Sequence, residues 1–315
     1  MILVAGSANL DFVVRAPHIP APGETVLGGD FRLFAGGKGA NQAIACARAG
    51  GVATRMLLAL GRDRFAEPIE ASLNAAAVKL DIIRCEDLPT GTAFICVSDT
   101  AENAITVAPG ANSALLAEHL PDLGGIKYLL MQLETPLATV AAYAAAARKA
   151  GAAVVLNAAP AQALPLELLV LVDVLVVNEG ELASISQCSG SVADCLKQLP
   201  NVPCIVVTLG ARGCCARVGS QIILQSAFSI TAVDTTAAGD TFCGVLVARL
   251  AQQHLWPAVL ERASAAAALA CTRAGAQGSI PSSDDIDQFL SQQRTTAPTH
   301  AAAVAALAAF AGFSF

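Results

Sequence analysis

Asp234-Thr-Thr-Ala-Ala-Gly-Asp240-Thr-Phe sets two carboxylates around a run of small residues, and an apolar stretch of helical spacing follows, with Phe242, Val245, Leu246 and Leu250 on one face. Ala237, Ala238 and Gly239 therefore stand at a helix N-terminus, where backbone N–H groups point outward and the helix dipole favours an anion. A phosphoryl group in transfer suits that spot. Asp240 beside it is placed to take a proton from an attacking hydroxyl, although a plain helix cap is the alternative use of an aspartate there.

Other runs add possible ligands. Gly36-Gly37-Lys38-Gly39-Ala40-Asn41-Gln42 is not a phosphate loop, which needs Ser or Thr where Gly39 stands, nor a dinucleotide fingerprint, which needs glycine where Gln42 stands. It lets backbone approach a ligand and then opens a helix with polar side chains, which suits a polyhydroxylated molecule; an ordinary glycine turn is the alternative. Asn9-Leu10-Asp11 can bond neighbouring hydroxyls or cap a loop. Glu134, and Asn178-Glu179-Gly-Glu181, follow apolar runs, where a carboxylate can hold Mg²⁺ through water or start a helix. The glycine turn Thr208-Leu-Gly210-Ala-Arg212-Gly213 can lie against a nucleotide, and the turn-rich loop Thr272–Pro281 offers carbonyls to a cation.

The elements that must position these groups are legible as short apolar runs. Ile2–Ala5, Tyr128–Gln132, Ala153–Asn157, Val174–Val177 and Cys204–Thr208 predict buried parallel strands. Alanine-rich segments such as Leu137–Ala150, with Gly151 as its C-cap, and Asp194–Leu199 predict the helices between them. Strands alternating with helices predict an open α/β sheet that binds ligands at its carboxyl ends, where most of these motifs fall. Phe12–Ala35 and Thr92–Val107 break the alternation and predict four or five strands of a small lid. The alanine-rich tail beyond Thr295 predicts a poorly anchored helix or disorder.

Of 315 residues, 55% are hydrophobic and only 14% charged, which excludes a disordered chain. A net charge of −6 without a basic run argues against a nucleic-acid partner. The ten cysteines show no CxxC pair and no zinc spacing, so they read as buried thiols of a reducing cytosol. The start MILVAGSANLD lacks a signal-peptide pattern and no run is long enough to span a bilayer, so a cytoplasmic protein with no membrane partner is expected.

Taken in order, Asn-Leu-Asp, Pro-Gly-Glu-Thr, Gly-Gly-Lys-Gly-Ala-Asn-Gln, Met131-Gln-Leu-Glu134, Asn-Glu-Gly-Glu, Thr-Leu-Gly-x-Arg-Gly and Asp-Thr-x-Ala-Ala-Gly-Asp-Thr-Phe resemble the ribokinase-type carbohydrate kinases, the phosphofructokinase-B family, from Met1 to about Arg294. The resemblance implies a three-layer α/β/α sandwich (residues 1–294) with a mostly parallel sheet, a β-sheet lid from about 12–36 and 92–107, and a tail at 295–315. It implies transfer of phosphoryl from ATP to the 5-hydroxyl of D-ribose. Another pentose, deoxyribose, a nucleoside or fructose are alternative acceptors, and a non-catalytic sugar-binding regulator is the alternative of another class. Asp240 would be the base and Gly239, Ala238 and Ala237 the anion hole. Asn9, Asp11, Gly37, Lys38, Asn41 and Glu134 would hold the sugar. Asn178, Thr208, Gly210, Arg212, Gly213, Gly239 and Ser264 would line the nucleotide site. Glu181 would position Mg²⁺ by way of water. Asp234, Thr236, Ala270, Arg273, Gly275 and Ser279 would bind an activating K⁺, and the lid would form a homodimer interface. Asn157-Ala-Ala-Pro160, Ser264 and Gly278 depart from the family's usual proline, histidine and proline there.

Overall fold

The fold, a computed structural model that describes residues 1–100, 102–294 and 300–313, begins with strands β1 (Ile2–Ala5), β2 (Asn9–Ala16) and β3 (Phe31–Gly36), helix α1 (Lys38–Ile44) and β4 (Thr54–Gly61). Next come α2 (Ala66–Ala75), β5 (Lys79–Cys85), β6 (Gly91–Ser98), β7 (Asn103–Ala108), β8 (Tyr128–Met131), α3 (Leu137–Lys149) and β9 (Ala153–Asn157). Then follow α4 (Leu166–Leu169), β10 (Val174–Asn178), α5 (Glu179–Ser186), α6 (Val192–Lys197), β11 (Cys204–Thr208), β12 (Gly213–Val218) and β13 (Gln221–Ser226). The chain closes with α7 (Ala238–Ala251), α8 (Trp256–Cys271), α9 (Ser283–Arg294) and α10 (His300–Ala311).

All five expected strands enter one nine-stranded sheet of order β13-β12-β11-β10-β9-β8-β1-β4-β5. It is parallel from β5 to β11 and ends in the antiparallel hairpin β12–β13. Period-two alternation divides its side chains between two cores. Ile2, Val4, Met56, Leu58 and Val176 face one core with α1, α2, α7, α8 and α9. Leu3, Ala5, Leu57, Leu175 and Val177 face the other with α3, α5, α6 and α10. A parallel sheet covered on both sides is the three-layer α/β/α sandwich expected.

The sequence had not marked β4, β5, β12 and β13. Thr54-Arg-Met-Leu-Leu-Ala-Leu is made largely of helix formers and becomes a strand through its pairing with β1. Helix α6 starts two residues before the expected Asp194, because Ser191 and Asp194 close a capping box. The tail from His300 is a helix whose Leu307 and Ala311 are buried in the second core, rather than a poorly anchored segment. Residues 295–299 and 314–315 of that expected tail lie outside the described residues.

The lid is a separate four-stranded sheet of order β3-β2-β6-β7. It starts at Asn9, earlier than expected, so Asn9 and Asp11 sit in a lid strand and not in a loop. The Phe12 ring stacks on Phe94 at 5.3 Å and meets Phe65, just before α2, edge-on at 5.4 Å, which ties the lid to the body.

Helix α7 crosses α1 at backbone distance. A Cβ on Gly244 would lie 2.4 Å from Ala45 Cβ and 2.6 Å from the Gln42 carbonyl oxygen. Gly244→Val is expected to lower the urea midpoint, at a cost of roughly 1–3 kcal/mol for overpacking. Gly278→Ala, where a Cβ would meet nothing within 4 Å, should leave the midpoint in place. Equal midpoints for the two variants would refute the close crossing.

Candidate active site

Asp240 lies in the first turn of α7 and is buried, but it does not cap the helix. Both of its carboxylate oxygens are held from α1: Asn41 Nδ2 donates to one and Gln42 Nε2 to the other, each at 2.9 Å. Gln42 is fixed in turn. Its Nε2 also donates to Asn157 Oδ1 at 2.9 Å, and its Oε1 accepts from Gln132 Nε2 at 2.6 Å. Gln42, Gln132 and Asn157 were not among the expected site residues. The available signal was a polar residue ending or following an otherwise apolar strand, as Asn157 ends β9 and Gln132 follows β8; such a group is buried at the binding end of the sheet and needs partners.

The helix start is open. Ala237 takes a left-handed conformation at φ 59°, a strained one for a residue with a Cβ. The N–H groups of Gly239 and Asp240 have no backbone acceptor among the described residues, and a Cβ on Gly239 would meet nothing within 4 Å. Donors with no acceptor at a helix N-terminus form a site for an anion. Asp240 stands beside it as a carboxylate held through both oxygens.

On the lid side, Glu134 Oε2 accepts from the Lys38 backbone N–H at 3.1 Å and from the Ser7 hydroxyl. Asn9 Oδ1 accepts from the buried Asn112 Nδ2 at 2.8 Å, a support that the motifs did not reveal. Gly37 sits at φ 88°, and a Cβ there would lie 2.7 Å from Ala8 Cα and Asn9 N. Asn41 Oδ1 is buried with no protein partner. Charge is crowded here. Burial, then the Glu134 and Asp240 carboxylates, raise the Asp11 carboxyl to a pKa of about 7 against the opposing Lys38 ammonium. Burial works to lower Lys38, but Asp240, Glu134 and Glu181 together outweigh it and hold the ammonium above its ordinary value.

Two adjoining cavities share Thr208, Thr235 and Gly239. The polar one, about 240 Å³, is lined by Lys38, Asn157, Asn178, Glu181, Asp240 and Cys243 among others. Burial raises the Glu181 carboxyl, and one of its oxygens accepts from the Asn178 N–H at 2.8 Å while Asn178 Oδ1 caps α5 in return. Glu181 thus starts a helix and also faces Asp240. The larger cavity, about 610 Å³, is mostly apolar, with Gly210, Gly213, Phe228, Ser264, Ala267 and Ala268 in its wall. Arg212 is not part of its wall and pairs with Glu179 at 2.7 Å.

The loops before α7 and after α8 are laced by Asp234, whose two oxygens accept from the Thr236 and Gly275 N–H groups at 2.9 Å each. Ala270 accepts from the Arg273 N–H, and the Arg273 side chain pairs with Asp285 at 3.1 Å. Ser279 is buried, and its hydroxyl donates to Ala276. No cluster of three or more His, Cys, Asp or Glu suited to a metal ion occurs among the described residues.

The raised Asp11 pKa has a consequence for stability. The folded protein keeps this proton up to about pH 7, whereas the unfolded chain releases it near pH 4. The unfolded state binds fewer protons across that window, so the contribution of this group to stability falls as pH rises from about 4 to 7. Asp11→Asn should match the wild type near pH 4 and exceed it by up to about 4 kcal/mol at pH 8. Denaturant titrations at the two pH values check this, and an equal difference at both would contradict it.

Residues 1–283 match the pfkB family of carbohydrate kinases. The ribokinase of Haemophilus influenzae is 36% identical over 301 residues, spanning 92% of this chain and 98% of that protein. The structure of Thermotoga maritima ribokinase superposes with a TM-score of 0.83 at 33% identity, covering 92% of this chain and 99% of that one. Arabidopsis thaliana ribokinase, solved with ribose and ATP, gives a TM-score of 0.82 at 30% identity over 92% of this chain and 98% of that one. With the sandwich, the lid and Asp240 held at an open helix start, the chain belongs to the pfkB family of carbohydrate kinases.

Proposed function

We propose that this protein transfers the γ-phosphoryl group of ATP to the 5-hydroxyl of D-ribose. The observation that carries the reading is Asp240: a carboxylate oriented through both oxygens, one residue from an open anion-binding turn, where two cavities meet. The sugar lies under the lid, its hydroxyls donating to Asp11, Glu134 and Asn41 Oδ1, the last a buried acceptor that a ligand would satisfy. The base and ribose of ATP occupy the apolar cavity, and its phosphates run past Thr208 to the Gly239 N–H. Asp240 takes the proton from the 5-hydroxyl as its oxygen attacks, and the free N–H groups of Gly239 and Asp240 with the Lys38 ammonium receive the charge that develops, while the Ala238 N–H is taken by the Thr235 carbonyl.

Mg²⁺ would lie by Glu181, a carboxylate facing Asp240 that spends one oxygen on the Asn178 N–H; held through water, the ion supplies charge neutralisation on the phosphates. K⁺ suits the paired loops, where Asp234 supplies the negative charge and the carbonyls around Ala270, Arg273 and Gly275 supply neutral oxygens. Asp234 fits this use: hydrogen bonds from Thr236 and Gly275 outweigh burial and keep its carboxyl below the usual range. The ion would order the anion-binding turn from below. The lid leaves Phe31, Leu33, Phe94 and Ile105 exposed, which fits a homodimer contact through it. No helix among the described residues is long and apolar enough to cross a membrane, and all ten cysteines are free thiols, in keeping with a cytoplasmic protein.

ADP release with Mg-ATP and K⁺ across D-ribose, 2-deoxyribose, fructose, adenosine and no sugar tests the acceptor. Ribose alone should support rapid turnover; faster turnover with another member would move the specificity, and none with any would favour a sugar-binding regulator. Asp240→Asn should lower turnover by about 10²–10⁴-fold while sugar still binds, and near-normal turnover would remove Asp240 as the base. Replacing K⁺ with Na⁺ should slow the wild type, and equal rates in the two salts would count against the cation loop.

A further inference from the structure

Arg212 belongs to the turn between β11 and β12, whose Gly210, Ala211 and Gly213 line the apolar cavity. Its partner Glu179 is the first residue of α5, beside Asn178 and Glu181, which line the polar cavity. The 2.7 Å bridge between them therefore ties together the two turns that bracket the proposed nucleotide site. An exposed bridge of this kind holds little by itself, because water and salt screen it. Here one face of the half-exposed guanidinium is covered: its central carbon lies 3.8 Å from the centroid of the Phe310 ring, in α10. Apolar cover removes water from one face of the ion, and the ring adds cation–π attraction. Helix α10 is fixed in place by buried Leu307 and Ala311 and by Gly312, which packs against Ser191 so closely that a Cβ there would lie 2.6 Å from its hydroxyl oxygen. The match to the kinase family ends at residue 283, before this helix.

We propose that Phe310 is a positioning residue for nucleotide binding, clasping the Arg212–Glu179 bridge so that the Gly210–Gly213 turn and the start of α5 are held at the spacing ATP requires. The proposal rests on the nucleotide reading of the site. It gives Arg212 a role beside the nucleotide rather than on it.

The test measures binding of a non-hydrolysable ATP analogue to the full chain by calorimetry, with KM for ATP and for sugar and kcat alongside. Phe310→Ala should weaken the analogue about three- to tenfold and raise KM for ATP in step, leaving kcat and KM for sugar near wild type. Phe310→Tyr should restore affinity, whereas Phe310→Leu should not. Glu179→Gln should weaken binding by a similar factor, and adding Phe310→Ala to it should weaken it no further, since both act through Arg212. Phe310 is 45% exposed, so its loss leaves the anchoring of α10 intact. Unchanged analogue affinity in Phe310→Ala, or equal weakening for sugar and nucleotide, would overturn the clasp alone. A wild type that binds no ATP analogue would overturn the nucleotide reading and the clasp with it.

Discussion

A carboxylate buried at a helix start must be hydrogen-bonded, and in this protein the donors come from a second helix. Asn41 and Gln42 on α1 hold the two oxygens of Asp240 on α7. The rest of the site depends on that contact. It requires α1 and α7 to cross closely, which Gly244 permits by having no side chain. It requires Gln42 to be turned the right way, which Gln132 and Asn157 impose from the strand ends. The reactive group is thus oriented by three separate segments of the sheet and its covering helices, and amide donors do so without adding charge.

Around that centre the protein accumulates strained, crowded or unpaired groups. Burial, with the Glu134 and Asp240 carboxylates adding to it, raises the Asp11 carboxyl to about 7 although Lys38 opposes the shift. Ala237 is held in a left-handed conformation that glycine would adopt more easily. Asn41 Oδ1 is buried without a partner. Each is a local cost gathered at the candidate site. The two closely packed cores on either side of the sheet offset these costs.

The same logic runs outward from the centre. Asp234 joins the loop before α7 to the loop after α8 through two backbone N–H groups, so the open start of α7 is braced. The lid strand β2 carries Asn9 and Asp11 directly from the body and is steadied by the Phe12 contacts with Phe94 and Phe65. Phe310 of helix α10 lies against Arg212 in the turn between β11 and β12, at the far side of the apolar cavity.

By itself the sequence determined the α/β alternation, the five most apolar strands and the helix start at Ala237–Asp240, because these follow from local hydrophobic runs and small residues beside a carboxylate. It also marked Asp11, Asn41, Glu134 and Glu181, since each falls just past a strand or in a glycine run. Tertiary structure alone decided the partners. Nothing local joins Gln42 to Asp240, 198 positions apart, or Asn112 to Asn9, 103 apart. It likewise turned Thr54–Gly61 into a strand against its helix-forming residues, and made Arg212 a brace between two turns. Local propensity governs which elements form. Which side chains meet is set by the order of strands in the sheet, and that order follows from packing over the whole chain.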